Sequence, residues 1–200
     1  MPEEYLFNRG YITFMSLDES TNKAVNPTRR MLLRASLAGS VLAMAPLSKV
    51  WAASERSLSL KNLHTGEHIS QLYWMGGDYL PESLSAINTV LRDHRSGEVY
   101  PIDLGLLDLL SALQQRVNSR RDYEVISGYR SPSSNAMLNA KSNGVAKRSM
   151  HMLGQAIDIR LPGTQLAALH RAASEMKVGG VGLYTGSNFI HVDTGRVRYW

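Results

Sequence analysis

Two imidazoles and one carboxylate near the end of the sequence form a residue set that suits a metal site. His151 and Asp158 lie in the segment 149–158, and His191 lies in the segment 188–193. A catalytic zinc ion takes three protein ligands of these types and keeps a fourth position for water. If the three side chains converge, we expect a metal-dependent hydrolase. The sequence contains no cysteine, which excludes thiolate ligands and cysteine nucleophiles.

Side-chain alternation indicates how two strands would present these ligands. In the predicted strands 156–161 and 189–192, Asp158 and His191 each lie between two apolar residues. Because side chains alternate between the faces of a strand, each strand has an apolar face for the core and a polar face with a ligand. If the strands pair, Asp158 and His191 come within reach of one ion, and His151 lies on a loop that folds over the same face. From the residues alone, Asp158 could instead only orient a histidine within a polar network.

The rest of the chain supplies the elements that must position this site. Strand-like alternation between turn residues predicts a hairpin over residues 56–74 and further strands at 123–127, 181–184 and 197–200. Apolar residues at helical spacing predict helices at 82–95, 103–117, 133–141 and 165–176. Helices combined with mainly hairpin-linked strands predict an α+β fold, with a small antiparallel sheet flanked by helices.

The first 52 residues are predicted to lie outside the folded domain. Residues 28–34 contain two adjacent arginines and precede a mildly apolar stretch at 35–47, followed by small side chains. This pattern is typical of an export signal, and the arginine pair resembles a twin-arginine signal. The apolar stretch is too short for a stable membrane span. The alternative is an amphipathic helix that contains the two arginines. The predicted divisions are an unexplained extension at 1–27, a signal segment at 28–52 and a folded domain at 53–200.

The charge of the chain does not indicate a nucleic-acid partner. The formal net charge is +5, with 44% apolar and 20% charged residues, which is ordinary for a globular protein. No dense Lys/Arg run with interleaved aromatic residues occurs after residue 52, so nucleic-acid binding is not expected. The glycine-rich segment 179–182 does not indicate a phosphate-binding loop, because no helix pattern follows it.

Several of these motifs together resemble the zinc D-Ala-D-Ala peptidase family, which shares its fold with the hedgehog signalling domain. They are Ser-x-His-x-x-Gly-x-Ala-x-Asp at 149–158, the apolar-apolar-His strand at 189–191, and Ser-Gly-Tyr-Arg-Ser at 127–131. The similarity is closer to the murein endopeptidase K branch of that family. That similarity rests on residues 62–67, 144–147, 179–182 and the Arg-Tyr-Trp at 198–200. It covers roughly residues 57–200.

The resemblance implies a zinc peptidase domain over residues 53–200. One Zn²⁺ would be held by His151, Asp158 and His191. The implied reaction is hydrolysis of peptide cross-links between peptidoglycan stem peptides in the periplasm. The implied route to that compartment is the twin-arginine export machinery.

Substrate contacts are predicted at three further positions. Arg130 is expected to bind a substrate carboxylate through its two-pronged guanidinium, and the alternative is an internal salt bridge. Ser149 and Tyr184 are expected to hydrogen-bond the substrate. These roles suit stem peptides, which are rich in carboxylates.

The sequence departs from the family pattern at the expected position of the general base. Many relatives carry an acidic residue about three positions before the last histidine, but residues 185–188 contain none. The nearest carboxylate, Asp193, lies on the same strand face as His191. We predict that Asp193 is the base, and the alternative is that it orients a ligand histidine. The missing acid also leaves a second function class open, a zinc-holding peptidoglycan-binding module with little or no hydrolytic activity.

Overall fold

One mixed β-sheet forms the centre of the fold. The structure is a computed structural model that describes residues 55–142 and 144–200, and within these residues it contains eight strands and four α-helices. The strands are β1 (Glu55–Asn62), β2 (His68–Met75), β3 (Asp78–Tyr79), β4 (Tyr123–Ser127), β5 (Ala156–Arg160), β6 (Gly180–Tyr184), β7 (Phe189–Asp193) and β8 (Arg198–Tyr199). The helices are α1 (Pro81–Val90), α2 (Leu104–Arg116), α3 (Pro132–Lys141) and α4 (Leu166–Met176), with a short 3₁₀ helix at Met150–Leu153.

The sheet is larger than the sequence predicted, and it is not purely antiparallel. Its strand order is β3-β2-β1-β4-β5-β7-β6-β8, and the pairs β1–β4 and β6–β8 are parallel. The α+β class is confirmed, but the prediction of a small antiparallel sheet was wrong. Hairpin signals are local, whereas parallel neighbours need a crossover connection. Between β1 and β4 that connection contains β2, β3 and two helices, so no local pattern reveals the pairing.

Polar side chains fix several element boundaries. Asn62 closes the β1–β2 hairpin, because its side-chain oxygen accepts two backbone N–H groups of the turn. Asp103 caps α2 by accepting a backbone N–H of the first turn. The first helix ends at Val90, so the prediction that it continues to residue 95 was wrong. The Asn62 side chain donates to the carbonyl of Val90 at 2.8 Å, and the chain then turns into a loop.

The hydrophobic core lies between three helices, α1, α2 and α4, and one face of the sheet. Helix α2 packs against β1 and α4, and α4 packs against β6 and β7. Ile157 and Ile159 of β5, and Ile190 and Val192 of β7, are fully buried in this core. The predicted alternation is therefore confirmed, and it places Asp158 and His191 on the other face. The leucine stripe of α2 is also confirmed, with residues 106, 107, 110 and 113 all buried.

The predicted extension at 1–27 and the predicted signal segment at 28–52 lie outside the described residues, as do residues 53 and 54 of the predicted domain. Of the helices in the described part of the chain, none has the length and apolar character needed to span a bilayer.

Candidate metal centre

Three structural elements bring His151, Asp158 and His191 to one point. His151 lies in the 3₁₀ helix, and Asp158 and His191 lie in the middle of β5 and β7. These strands pair antiparallel with Asp158 directly opposite His191. Gly154 ends the 3₁₀ helix with a φ of 66°, and a side chain there would collide with the carbonyl oxygen of Pro101. The glycine therefore allows the loop that carries His151 to fold back over the strands.

The spacing of the three ligand atoms fits a tetrahedral metal ion. His191 Nδ1 lies 2.9 Å from Asp158 Oδ1, and His151 Nε2 lies 3.3 Å from His191 Nδ1 and 3.4 Å from Asp158 Oδ1. Ligands that bind zinc at about 2.0–2.1 Å lie about 3.3 Å from one another in a tetrahedron. The trio is buried and can hold a metal ion. Two imidazoles and a carboxylate, with no thiolate in the sequence, are donors that suit zinc.

The second nitrogen of each imidazole is also engaged. His151 Nδ1 lies 2.7 Å from the carbonyl oxygen of Gly128. A carbonyl can only accept, so Nδ1 carries the proton and the Nε2 lone pair faces the other ligands. His191 Nε2 lies 2.9 Å from Asp193 Oδ2, and a proton on Nε2 leaves the Nδ1 lone pair free. Such outer hydrogen bonds set the tautomer and orientation of metal-binding histidines.

Asp193 is fully buried, and several donors surround its carboxylate. Arg198 contacts both oxygens, at 2.6 Å and 3.1 Å. The backbone N–H groups of Gly180 and Gly195 donate to Oδ1 at 3.0 Å and 2.8 Å, and His191 donates to Oδ2. Burial alone would raise the pKa of Asp193, but these hydrogen bonds outweigh it and hold the pKa below its ordinary value. Asp193 is therefore a charged acceptor whose lone pairs are already engaged.

Charge coupling within the trio keeps Asp158 ionised. Burial opposes the charge of this carboxylate, but the two neighbouring histidines outweigh burial and lower the pKa of Asp158. The pKa of His191 is raised, because its hydrogen bonds to Asp158 and Asp193 outweigh burial, which acts in the opposite direction. A metal ion at this point would take the place of protons among these ligands.

Arg130 lies beside the trio in the loop that precedes α3. Its guanidinium is 3.9 Å from Asp158 Oδ2, which is a long contact, and it donates to Ser127 Oγ at 3.3 Å and Asn135 Oδ1 at 3.4 Å. Its Nε has no hydrogen-bond partner in the described part of the chain. Burial lowers the pKa of Arg130, although a guanidinium keeps its charge in proteins. The long contact with Asp158 is the one ion pair of Arg130 within the described residues, and its other guanidinium contacts, to Ser127 and Asn135, are also long.

A cavity of about 430 Å³ opens in front of the trio. Arg130, Ser149 and Tyr184 all line it, so the structure brings the predicted substrate contacts and the three ligand residues together. Among the described residues that line the cavity, the only side-chain carboxylate belongs to Asp158, and Asp193 lies behind His191. The cavity walls are otherwise cationic, aromatic or neutral.

Two residues that border the site were missed from the sequence. Asn135 is buried on α3, accepts from Arg130, and donates to the backbone carbonyls of Ala146 and Lys147, at 3.0 Å and 3.2 Å. Trp200 lines the cavity next to His191. The Arg-Tyr-Trp ending was a usable signal for Trp200, whereas no sequence pattern distinguishes Asn135 from an ordinary helix asparagine.

The remaining histidines do not line the cavity. His64 and His94 stack on each other with ring centroids 3.8 Å apart. His94 is half-buried and lies in the loop after α1, outside the helix in which the sequence placed it.

Comparisons with known proteins place the chain in one family. A family model described as peptidoglycan L,D-endopeptidase MepK matches residues 50–200. The peptidoglycan L,D-endopeptidase MepK of Escherichia coli strain K12 is 41% identical over 175 residues, which cover 86% of this chain and 96% of the relative. The probable peptidoglycan L,D-endopeptidase MepK of Haemophilus influenzae is 40% identical over 162 residues, covering 80% of this chain and 87% of the relative. No solved structure gives a significant match.

Proposed function

Because the chain belongs to the peptidoglycan L,D-endopeptidase MepK family, we propose that it is a zinc-dependent endopeptidase that hydrolyses peptide cross-links of peptidoglycan. The observation that carries the zinc assignment is the convergence of His151 Nε2, Asp158 Oδ1 and His191 Nδ1 at 2.9–3.4 Å beside an open cavity. When bound, zinc supplies a water of lowered pKa and polarises a peptide carbonyl.

The protein's own contribution begins with ligand orientation. The Gly128 carbonyl holds the tautomer of His151, and Asp193 holds that of His191. We assign Asp193 to this orienting role rather than to the general base, because its lone pairs are engaged by Arg198 and by backbone N–H groups. A base must accept a proton from the reacting water in the cavity, and Asp193 lies behind His191.

Substrate recognition is assigned to the cationic wall of the cavity. Arg130 binds a carboxylate of the stem peptide through its two terminal guanidinium nitrogens, whose contacts within the described part of the chain are long, at 3.3–3.9 Å. Ser149 precedes the 3₁₀ helix without using its hydroxyl as a cap, so this hydroxyl is free to hydrogen-bond the peptide backbone. Together these contacts hold the cross-link over the trio in a fixed orientation.

The site of action follows from the substrate. Peptidoglycan lies outside the cytoplasmic membrane, so we propose a periplasmic enzyme that is exported by the twin-arginine machinery through Arg29 and Arg30. Replacing both arginines with lysine should leave the folded enzyme in the cytoplasm after cell fractionation. Unchanged delivery to the periplasm would exclude this route.

Muropeptide digestion tests the proposed activity. The purified enzyme with zinc should lower the fraction of cross-linked muropeptides in isolated peptidoglycan, as measured by mass spectrometry of the products. Alanine at position 151, 158 or 191 should abolish turnover and zinc binding together. Bound zinc with an unchanged muropeptide profile would favour the alternative of a peptidoglycan-binding module. One observation supports this alternative: among the described residues, Asp158 supplies the only side-chain carboxylate of the cavity lining, and it already belongs to the ligand trio.

A further inference from the structure

Trp200 is held in the cavity wall by backbone and side-chain contacts. Its backbone N–H donates to the carbonyl of Val181 at 3.2 Å, and its backbone carbonyl accepts from the backbone N–H of Leu183 at 2.9 Å. Its indole covers Gly182, where a Cβ would lie 2.5 Å from the ring. The ring centroid is 5.3 Å from that of His191. The position of the indole therefore depends on strand pairing and on the absence of a side chain at position 182.

The indole N–H fixes the direction of one phenol. Trp200 Nε1 lies 2.9 Å from Tyr184 Oη. An indole nitrogen can only donate, so the phenolic oxygen is the acceptor and its own proton points elsewhere. The ring of Tyr184 also stacks on Phe189, with centroids 4.6 Å apart and an interplanar angle of 18°. Two independent contacts thus restrict the phenol, and they leave its O–H group as a donor.

That donor borders the reaction site. Tyr184 lines the same cavity as the ligand trio, and within residues 55–142 and 144–200 its hydroxyl proton has no acceptor. During peptide hydrolysis the carbonyl oxygen gains negative charge. Donors that are oriented before the reaction stabilise this charge without a reorganisation cost.

We propose that Tyr184 donates a hydrogen bond to the oxygen of the scissile carbonyl, and that Trp200 is the positioning residue that directs this donor. The proposal rests on the proposed endopeptidase function. Tyr184 acts on the substrate, whereas Trp200 acts only through Tyr184. Phenylalanine at position 184 removes the donor and keeps the ring. Phenylalanine at position 200 keeps an aromatic wall but frees the phenol to rotate.

A double-mutant cycle tests the proposal on cross-linked muropeptides. Tyr184→Phe should lower kcat about 100-fold, as expected for one lost donor to a developing oxyanion. Trp200→Phe should lower kcat about 3- to 10-fold, the range of one neutral hydrogen bond, with KM unchanged. In the Tyr184→Phe background, Trp200→Phe should change kcat by less than about 2-fold, because coupled residues are not additive. All variants should keep the same zinc content and melting temperature as the parent enzyme.

A matched control uses Tyr199, the residue that precedes Trp200. The hydroxyl of Tyr199 donates to the carbonyl of Ser174 outside the cavity lining, so Tyr199→Phe should leave kcat unchanged. The proposal is overturned if Tyr184→Phe keeps the parent turnover, or if Trp200→Phe lowers kcat by the same factor in both backgrounds. A parent enzyme that fails to cleave the muropeptides overturns the proposed function as well, so the two failures are distinguishable.

Discussion

Replacing Asp193 with asparagine should weaken zinc binding more than it weakens catalysis at saturating zinc. Asparagine retains one oxygen, at the position of Oδ1. In the parent enzyme this atom accepts from the backbone N–H groups of Gly180 and Gly195 and from one nitrogen of Arg198. The amide nitrogen must then take the place of Oδ2, where it faces two donors, His191 Nε2 and the second nitrogen of Arg198. To accept from this amide, His191 must move its proton to Nδ1, the atom that faces the metal.

The size of the effect follows from the loss of the preferred tautomer. Outer-layer partners of metal-binding histidines typically change metal affinity about 10- to 100-fold when substituted, which corresponds to about 1.4–2.7 kcal/mol. We expect the upper end of that range, because Asp193 is fully buried and water cannot replace it. Competition titration against a chromophoric zinc chelator measures the affinity, and a second assay measures kcat with zinc in excess.

The two roles considered for Asp193 predict opposite patterns in these assays. An orienting residue gives weak zinc binding, and most of the turnover returns when zinc is saturating. A general base gives normal zinc affinity with kcat lowered about 100- to 10,000-fold, and that pattern would exclude the orienting role of Asp193. Asp108→Asn is a matched control, because Asp108 accepts from Tyr73, Tyr79 and Arg56 outside the cavity lining. It should change zinc affinity by less than about 2-fold.

Two further predictions concern Asn135 and Asp93, which contact Arg130 and its neighbour Ser131. Asn135→Ala should raise KM about 5- to 10-fold with little change in kcat, because it removes a buried hydrogen bond to Arg130. Asn139→Ala removes only a hydrogen bond to the carbonyl of Val145, in the loop that Asn135 also contacts, and it should leave KM unchanged. Equal KM values for the two variants would contradict this prediction. Burial opposes the charge of Asp93, but donors from Ser131 and neighbouring groups outweigh burial and lower its pKa. Its stabilising effect is therefore present above the ordinary carboxyl pKa of about 4 and is lost as the pH falls below it. Asp93→Asn should cost about 2–3 kcal/mol in urea unfolding at neutral pH and reduce the acid-dependent loss, and a stability unchanged at neutral pH would contradict this.

Local patterns predicted the ligand strands because the relevant signal has a period of two residues. Asp158 and His191 each lie between buried aliphatic residues, so alternation alone places their side chains on the polar face. The antiparallel pairing of β5 with β7 was assumed in the sequence interpretation, and the structure confirms it with Asp158 opposite His191. The glycine after His151 likewise indicated a loop that can return to the sheet.

Long-range contacts carried the information that the sequence did not reveal. The environment of Asp193 depends on the N–H of Gly180, which lies on a neighbouring strand, and on Arg198, which follows a turn. Neither contact has a spacing rule in the sequence. The parallel pairing of β1 with β4 is similar, because it joins strands that two helices separate. The role of Asn135 depends on a loop and a guanidinium that meet only in the folded chain.

Anomalous diffraction from crystals of the zinc-loaded protein, recorded on both sides of the zinc absorption edge, would locate the bound ion and the atoms that hold it. We predict one zinc peak in contact with His151 Nε2, the Asp158 carboxylate and specifically Nδ1 of His191, with Nε2 of His191 still hydrogen-bonded to Asp193. A zinc ion bound through other residues, or through Nε2 of His191, would contradict the account. So would the lack of any zinc peak at this trio.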